Sequence, residues 1–236
     1  MEKRTLTDHQ MAFRVGQELE DGDAINLGIG IASLVSSYVP KGIQVTFHVE
    51  NGIIGFGKVL SKEEVDKMDF YVVNAGAQFL ESLPGMSVVD FAESFDAVRN
   101  GRVNVTVLGA HQVAEYGDFC SWTLEEHADK VKLSTLTLGG AMDMPVGPKK
   151  VIIAMRHVDK KGGLRILKKC SYPLTARRKA KTLVTDVAVI KITDEGLELI
   201  EVAPGWTPDE IQAITEPTLK VSPSLKTIDL SQFVER

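Results

Sequence analysis

Apolar positions at Met11, Val15 and Leu19 recur every four residues and predict a helix over 8–20, with Thr7 or Asp8 able to cap its start and Gly22 to end it. Short apolar runs then alternate with helical or glycine-rich stretches. The runs at 24–27, 45–49, 70–73, 103–108, 133–138 and 151–155 read as buried parallel strands. Helices are expected at 32–39, stopped by Pro40, at 62–67, and at 90–100, stopped by Gly101. This alternation implies βαβ crossovers. Farther on, apolar runs at 187–192 and 197–202 flank Thr193-Asp194-Glu195-Gly196, the pattern of a hairpin, and Thr207-Pro208-Asp209-Glu210 opens a helix with a capping box and a proline at its first position. The predicted fold class is α/β: an open, mostly parallel sheet with helices on both faces and a C-terminal β-hairpin at the edge. Residues 1–236 are expected to form a single domain.

Composition narrows the classes of function. With 44% hydrophobic and 25% charged residues the chain has the makeup of a soluble globular protein, and its net charge of -5 offers no general attraction for nucleic acid. Lys149-Lys150, Lys160-Lys161 and Arg177-Arg178-Lys179 are short basic clusters that read as solvated surface. Two cysteines, Cys120 and Cys170, are too few for a disulfide framework and suit a reducing cytoplasm. No apolar run reaches membrane-spanning length. The expectation is a cytoplasmic protein with neither a nucleic-acid nor a membrane partner.

Three stretches hold candidate chemistry. In Asn26-Leu27-Gly28-Ile29-Gly30-Ile31-Ala32-Ser33 a strand, a glycine turn and a helix start make a concavity of backbone N–H groups suited to an anion or a carbonyl oxygen, which makes Gly28 and Gly30 candidates. A dinucleotide fingerprint would want a third glycine where Ser33 stands, although an acid, Glu50, does follow about 20 residues later. A structural turn, a nucleotide site and another ligand site all remain open on this pattern. The second stretch runs from a strand straight into Glu50-Asn51-Gly52, placing Glu50 at the carboxyl end, where open parallel sheets bind ligands and where it would be a nucleophile or base. Taken alone, a solvated turn glutamate is the commoner outcome. Third, Leu138-Gly139-Gly140-Ala141-Met142-Asp143 follows an apolar run; paired glycines can aim N–H donors at a bound group, or simply turn the chain. The five histidines show no metal-ligand spacing, so no metal is expected. His48, two residues before Glu50, is expected to be a satisfied core or surface histidine.

In order and spacing these stretches resemble the β subunits of class I CoA-transferases, the group that includes the succinyl-CoA:3-oxoacid and acetate or butyrate:acetoacetate enzymes. The resemblance spans most of the chain and extends to Val107-Leu108-Gly109-Ala110, Gln112-Val113, Tyr116-Gly117-Asp118, residues 170–175 and the helix after Thr207. Val49 replaces the serine of the family's usual Ser-Glu-Asn-Gly, Ala32 stands where many members have proline, and the stretch from Trp122 to Gly139 is longer than the common type. The resemblance implies that Glu50 is the nucleophile, attacking an acyl-CoA to give an anhydride and then a glutamyl-CoA thioester. It places Asn51, Gly52, Gly28, Gly30, Gly139, Gly140, Ala141 and Met142 at the oxyanion and CoA site. It implies no tightly bound cofactor, with coenzyme A as a substrate. The implied partner is a homologous α subunit, in an αβ or α2β2 complex without which the chain is inactive, and the implied substrates are short carboxylic acids, 3-oxo acids such as acetoacetate exchanging CoA with acetate, butyrate or succinate. The competing readings are a CoA-thioester hydrolase of the same family, a dinucleotide-dependent oxidoreductase and a metabolite-sensing subunit.

Overall fold

The computed structural model describes residues 3–130 and 138–235, so the strand expected at 133–138 falls, but for its last residue, outside them. Strands β1 (Ala24–Leu27), β2 (Thr46–His48), β3 (Ile53–Ile54), β4 (Ser87–Val88) and β5 (Val105–Leu108) come first. The short β6 (Gln112–Ala114) and β7 (Phe119–Cys120) follow, then β8 (Lys150–Ala154), β9 (Ile166–Leu167) and β10 (Ala180–Val184). Last are β11 (Ala188–Thr193), β12 (Gly196–Val202) and β13 (Leu219–Thr227). One ten-stranded sheet has the order β13-β12-β11-β10-β8-β5-β1-β2-β3-β4, and β7-β6-β9 form a separate three-stranded sheet. The five central strands, β10, β8, β5, β1 and β2, are parallel.

Alternation along these strands feeds two apolar layers. Ile25, Leu27, Val105, Val107, Ile152 and Ala154 pack with Met11, Ala12 and Val15 of helix α1 (Asp8–Gly16) and with Ala32 of α2 (Ile31–Leu34). On the opposite face Val151, Ile153, Leu183 and Ile190 pack with Phe95 and Val98 of α3 (Phe91–Arg99) and Ile211 of α4 (Pro208–Ala213). The sheet is therefore mostly parallel, with helices on both faces. Among the described residues no helix is long and apolar enough to cross a membrane.

Helix α1 begins as its sequence suggests: Gln10 N–H donates to Thr7 Oγ1 at 3.2 Å, and Gln10 Oε1 accepts from Thr7 N–H at 3.0 Å. It stops at Gly16 rather than running to residue 20. A Cβ on Gly16 would stand 2.2 Å from the Tyr38 carbonyl oxygen, and beyond it the chain continues in turns bonded Val15 to Glu18 and Gly16 to Leu19. Leu19 still reaches the core, by a turn and not a helix. Helix α3 runs as read, with Asp90 Oδ1 accepting from Glu93 N–H at 2.9 Å and Gly101 in the left-handed region at φ 70°. The expected helix at 62–67 is a 3₁₀ segment broken at Glu64, with none of its residues buried.

The run at 70–73 is not a buried parallel strand. Phe70 and Tyr71 are 83% and 91% exposed, and the segment's β-pairing is a single antiparallel bridge, Val73 with Phe79. Asp69 Oδ1 accepts from Tyr71 N–H at 2.9 Å, and this local turn takes the backbone donor a ladder would need. At the far side the hairpin of β11 and β12 is in place, and β13 adds outside it, parallel to β12. Lys220, Pro223 and Lys226 make β13 an unpromising strand by pattern, yet they are tolerated at a sheet edge. Where β12 and α1 meet, Glu201 accepts from Arg14 Nε at 2.7 Å and Arg14 Nη2 at 3.0 Å, with Lys226 Nζ at 3.3 Å.

Candidate active site

The chain leaves β1 for β2 on one side and later returns to β5 on the other, so strand order reverses between β1 and β5. Loops leaving neighbouring carboxyl ends part at such a point and leave a crevice. A cavity of about 560 Å³ opens there, walled by residues 28–31 after β1, 108–111 after β5, 154–156 after β8, the loop residues Gly139, Gly140 and Ala141, and Glu50. Gly28 is needed for close approach: its N–H donates to Val107 O at 2.9 Å, and a Cβ on it would lie 3.1 Å from that oxygen. Gly30, at φ 81°, turns the chain into α2, and its carbonyl accepts from both the N–H and the hydroxyl of Ser33, at 3.1 and 2.7 Å. Ser33 thus closes the turn where a dinucleotide fingerprint would place glycine.

Glu50 stands at the tip of a loop joining β2 to β3. Val49 and Ile53 bracket it through Val49 N–H to Ile53 O at 3.1 Å and Gly52 N–H to Val49 O at 2.9 Å, with Gly52 left-handed at φ 99°. The Glu50 carboxylate accepts from the Gly140 backbone N–H. How closely the glycine loop lies on that carboxylate is shown by a Cβ placed on Gly140, which would be 2.4 Å from Glu50 Oε2 and 2.9 Å from Phe95 Cζ. Burial raises the Glu50 carboxyl above the usual carboxylate value; the Gly140 N–H opposes this, and the nearby Asp143 charge adds to it. Asp143 is itself held by Arg99, at 2.9 Å from Nε and 2.8 Å from Nη2.

Of the residues expected at the site, Glu50, Gly28, Gly30, Gly139, Gly140 and Ala141 share the cavity. Asn51 turns away from its wall and donates from Nδ2 to Val73 O at 2.7 Å. Gly52 shapes the loop, since a Cβ on it would lie 2.2 Å from Val89 O. Met142 is 41% exposed and outside the lining, while the buried Met144 takes a place in it.

Sequence reasoning did not find the other end of the cavity. There Arg156 and Arg165 stand with His111, Ser121 and Asp8. Arg165 is tied to three carbonyls, those of His111 at 2.8 Å, Arg156 at 3.1 Å, and Ala110. Burial first, and then the Arg165 charge, lower the His111 pKa and favour the neutral ring. Arg156 directly follows the run at 151–155, and the rule that singled out Glu50, a polar side chain just past a parallel strand, would have found it.

A second group missed from sequence lies beneath Glu50. Buried Asn26 of β1 contacts His48 of β2, Nδ2 to Nδ1 at 3.0 Å; His48 Nε2 lies 2.9 Å from Ser94 Oγ of α3, and Ser94 donates to the Glu50 carbonyl at 2.9 Å. Of the two places left open by the sequence for a satisfied His48, core or surface, the structure gives the core.

Fold and cavity together define an α/β enzyme chain with a carboxylate under a glycine loop, and the sequence of the whole chain gives its family. The coenzyme A transferase profile matches residues 9–213, and the chain belongs to that family. It is 39% identical over 218 residues to the β subunit of the acetate CoA-transferase of Escherichia coli K12, covering 92% of this chain and 95% of that one. It is 35% identical to the B-type chain of the probable succinyl-CoA:3-ketoacid coenzyme A transferase of Bacillus subtilis 168, covering 92% and 96%. Among solved structures, an acyl-CoA transferase apoenzyme from Escherichia coli O157:H7 superposes with a TM-score of 0.70 over all of this chain and 46% of its own length. At 20% identity that likeness speaks for the fold alone. The chain is a CoA-transferase subunit of the β type.

Proposed function

We propose that this chain is the glutamate-bearing half of a two-subunit enzyme that moves CoA between an acyl-CoA and a short carboxylic acid, with Glu50 as the covalent carrier. The observation that carries the reading is the Glu50 carboxylate, held at the switch-point cavity under the Gly140 N–H. A Glu50 oxygen attacks the acyl carbonyl, the carbon–sulfur bond breaks, and an anhydride and CoA thiolate result. The thiolate then attacks the Glu50 carbonyl carbon, the donor acid leaves as its carboxylate, and CoA remains on Glu50 as a thioester. An acceptor carboxylate takes CoA by the reverse of these steps. Each addition puts negative charge on an oxygen beside the glycine loop, where a fixed backbone N–H stabilises it without reorganising. Partial burial strips water from the Glu50 carboxylate, which makes it a better nucleophile than a solvated one.

The glycine loop and Glu50 form one wall of the site. Exposed Ile29 lines the cavity, and exposed Phe91 stacks on Phe95 at 4.3 Å, beside the Gly140 loop. An α-type subunit covering this apolar rim would supply the opposite wall, in keeping with relatives named as β or B chains of such enzymes. The names of those relatives favour a 3-oxo acid, with acetate or succinate as the second acid. The test is CoA exchange by the purified two-subunit complex given acetoacetyl-CoA with acetate or succinate. Exchange that requires both subunits and an acceptor acid is expected. Free acid accumulating without an acceptor would turn the reading to a hydrolase.

A further inference from the structure

The hydrogen bonds beneath Glu50 run in one direction, and the Glu50 main chain sets it. A carbonyl oxygen only accepts, so the Ser94 hydroxyl, 2.9 Å from Glu50 O, spends its proton there. Ser94 Oγ must then accept from His48 Nε2–H at 2.9 Å, which leaves His48 Nδ1 to accept from the Asn26 amide at 3.0 Å. Asn26 Oδ1 in turn accepts from Thr106 Oγ1 at 3.1 Å. Each link fits a neutral His48 in a single tautomer, and burial, only partly opposed by the Ser94 main chain, pulls that ring's pKa down to about 4. The chain of bonds crosses β5, β1, β2 and α3, and all four side chains are buried. Packing alone has no use for four polar groups in an apolar layer, and each would be costly if left unpaired.

The end of the chain of bonds gives it a meaning. Ser94 fixes the backbone of the residue whose carboxylate faces the glycine loop, and its neighbour Phe95 places its ring where a Gly140 Cβ would fall. One turn of α3 therefore touches both halves of the site. We infer that Asn26, His48 and Ser94 are positioning residues that aim the Glu50 carboxylate at the Gly140 N–H through a one-way hydrogen-bonded relay. The inference rests on the role proposed above for Glu50. A misplacement of about 1 Å at a reacting group can cost on the order of 10²-fold in rate.

The test uses the complete complex with its α-type partner and the variants His48→Leu, His48→Gln and Ser94→Ala. Three quantities are measured: the single-turnover rate of covalent CoA attachment to this chain, the KM for acyl-CoA, and the unfolding midpoint. His48→Leu and Ser94→Ala are expected to slow attachment by about 10- to 100-fold with KM held within about three-fold, the mark of aim rather than of binding. Glutamine presents an acceptor for Asn26 and a donor for Ser94, so His48→Gln is expected to stay within about three-fold of wild type. Wild-type rates in both His48→Leu and Ser94→Ala overturn the inference. So does His48→Gln as slow as His48→Leu in complexes with equal unfolding midpoints. If His48→Leu does not fold, Ser94→Ala, which deletes one hydroxyl, decides by the same criterion. Absence of any adduct on Glu50 in the wild type overturns the role of Glu50 itself, a result distinct from variants that form the adduct at full speed.

Discussion

Glu201, 3% exposed, accepts two hydrogen bonds from Arg14 and faces Lys226, whereas Glu50 accepts from one backbone N–H and has another acid, Asp143, as its charged neighbour. Glu201 has left bulk water, and Glu50 is half-buried. The first is matched by cations, and its work is to join α1 to β12 and β13. Burial alone would draw the Arg14 guanidinium down, but Glu201 and Glu18 together carry it above its ordinary value. The second is kept short of positive charge, so its proton affinity rises and, in the role proposed for it, nothing tight has to be broken before it attacks. A buried glutamate is read as structural or reactive from what faces it, not from its burial.

The comparison breaks first at Glu50→Ala. Turnover of the two-subunit complex is expected to fall by about 10⁴-fold or more while the unfolding midpoint holds. Gly140→Ala comes next: the new Cβ meets Glu50 Oε2 at 2.4 Å, and a drop of about 10²-fold in kcat is expected in steady-state assays of a folded protein. On the other side, Arg14→Met removes both Arg14 hydrogen bonds from buried Glu201, leaving it facing Lys226, and should cost about 3 kcal/mol in denaturant unfolding, with kcat unchanged below the transition.

Glu50→Gln sharpens the contrast by a smaller amount. A raised folded-state pKa adds stability below the ordinary value of 4.5, and that stability is lost as pH rises through the folded value. Ionised Glu50 therefore weighs against the fold at neutral pH, so the glutamine variant should melt higher at pH 7.5, and the gap should close below pH 4.5. The smallest effect concerns His48, lowered to about 4 by burial. The unfolded chain binds this proton near 6.5 and the folded chain does not, so stability falls as pH drops from 6.5 toward 4. His48→Gln should flatten that slope in unfolding titrations, leaving the shares due to His157, which burial lowers to about 3, and to His111, which burial and the Arg165 charge also lower.

The parallel core was legible because β1, β2, β5 and β8 are short apolar runs, and the position of Glu50 followed from the strand before it and the Asn51-Gly52 turn after it. Strands β10 and β13 were not, since Lys181 interrupts the first and Lys220, Pro223 and Lys226 mark the second as polar. Phe70 and Tyr71 misled for the opposite reason: they are apolar, but the Asp69 side chain holds them in an exposed turn. Paired glycines at 139–140 announced a close approach without saying to what. The relay beneath Glu50 could not be read at all, because its partners lie 22, 46, 44 and 80 residues apart and only the folded sheet brings them together. Arg14 and Glu201 are separated by 187 residues and were invisible for the same reason.

The most direct measurement is the intact mass of this chain after its two-subunit complex meets an acyl-CoA with no acceptor acid, beside a Glu50→Ala control. A gain of one CoA less one water on the wild type, absent from the control, is the predicted result. A folded complex that gains nothing from several acyl-CoAs, or an adduct that survives Glu50→Ala, would contradict the account.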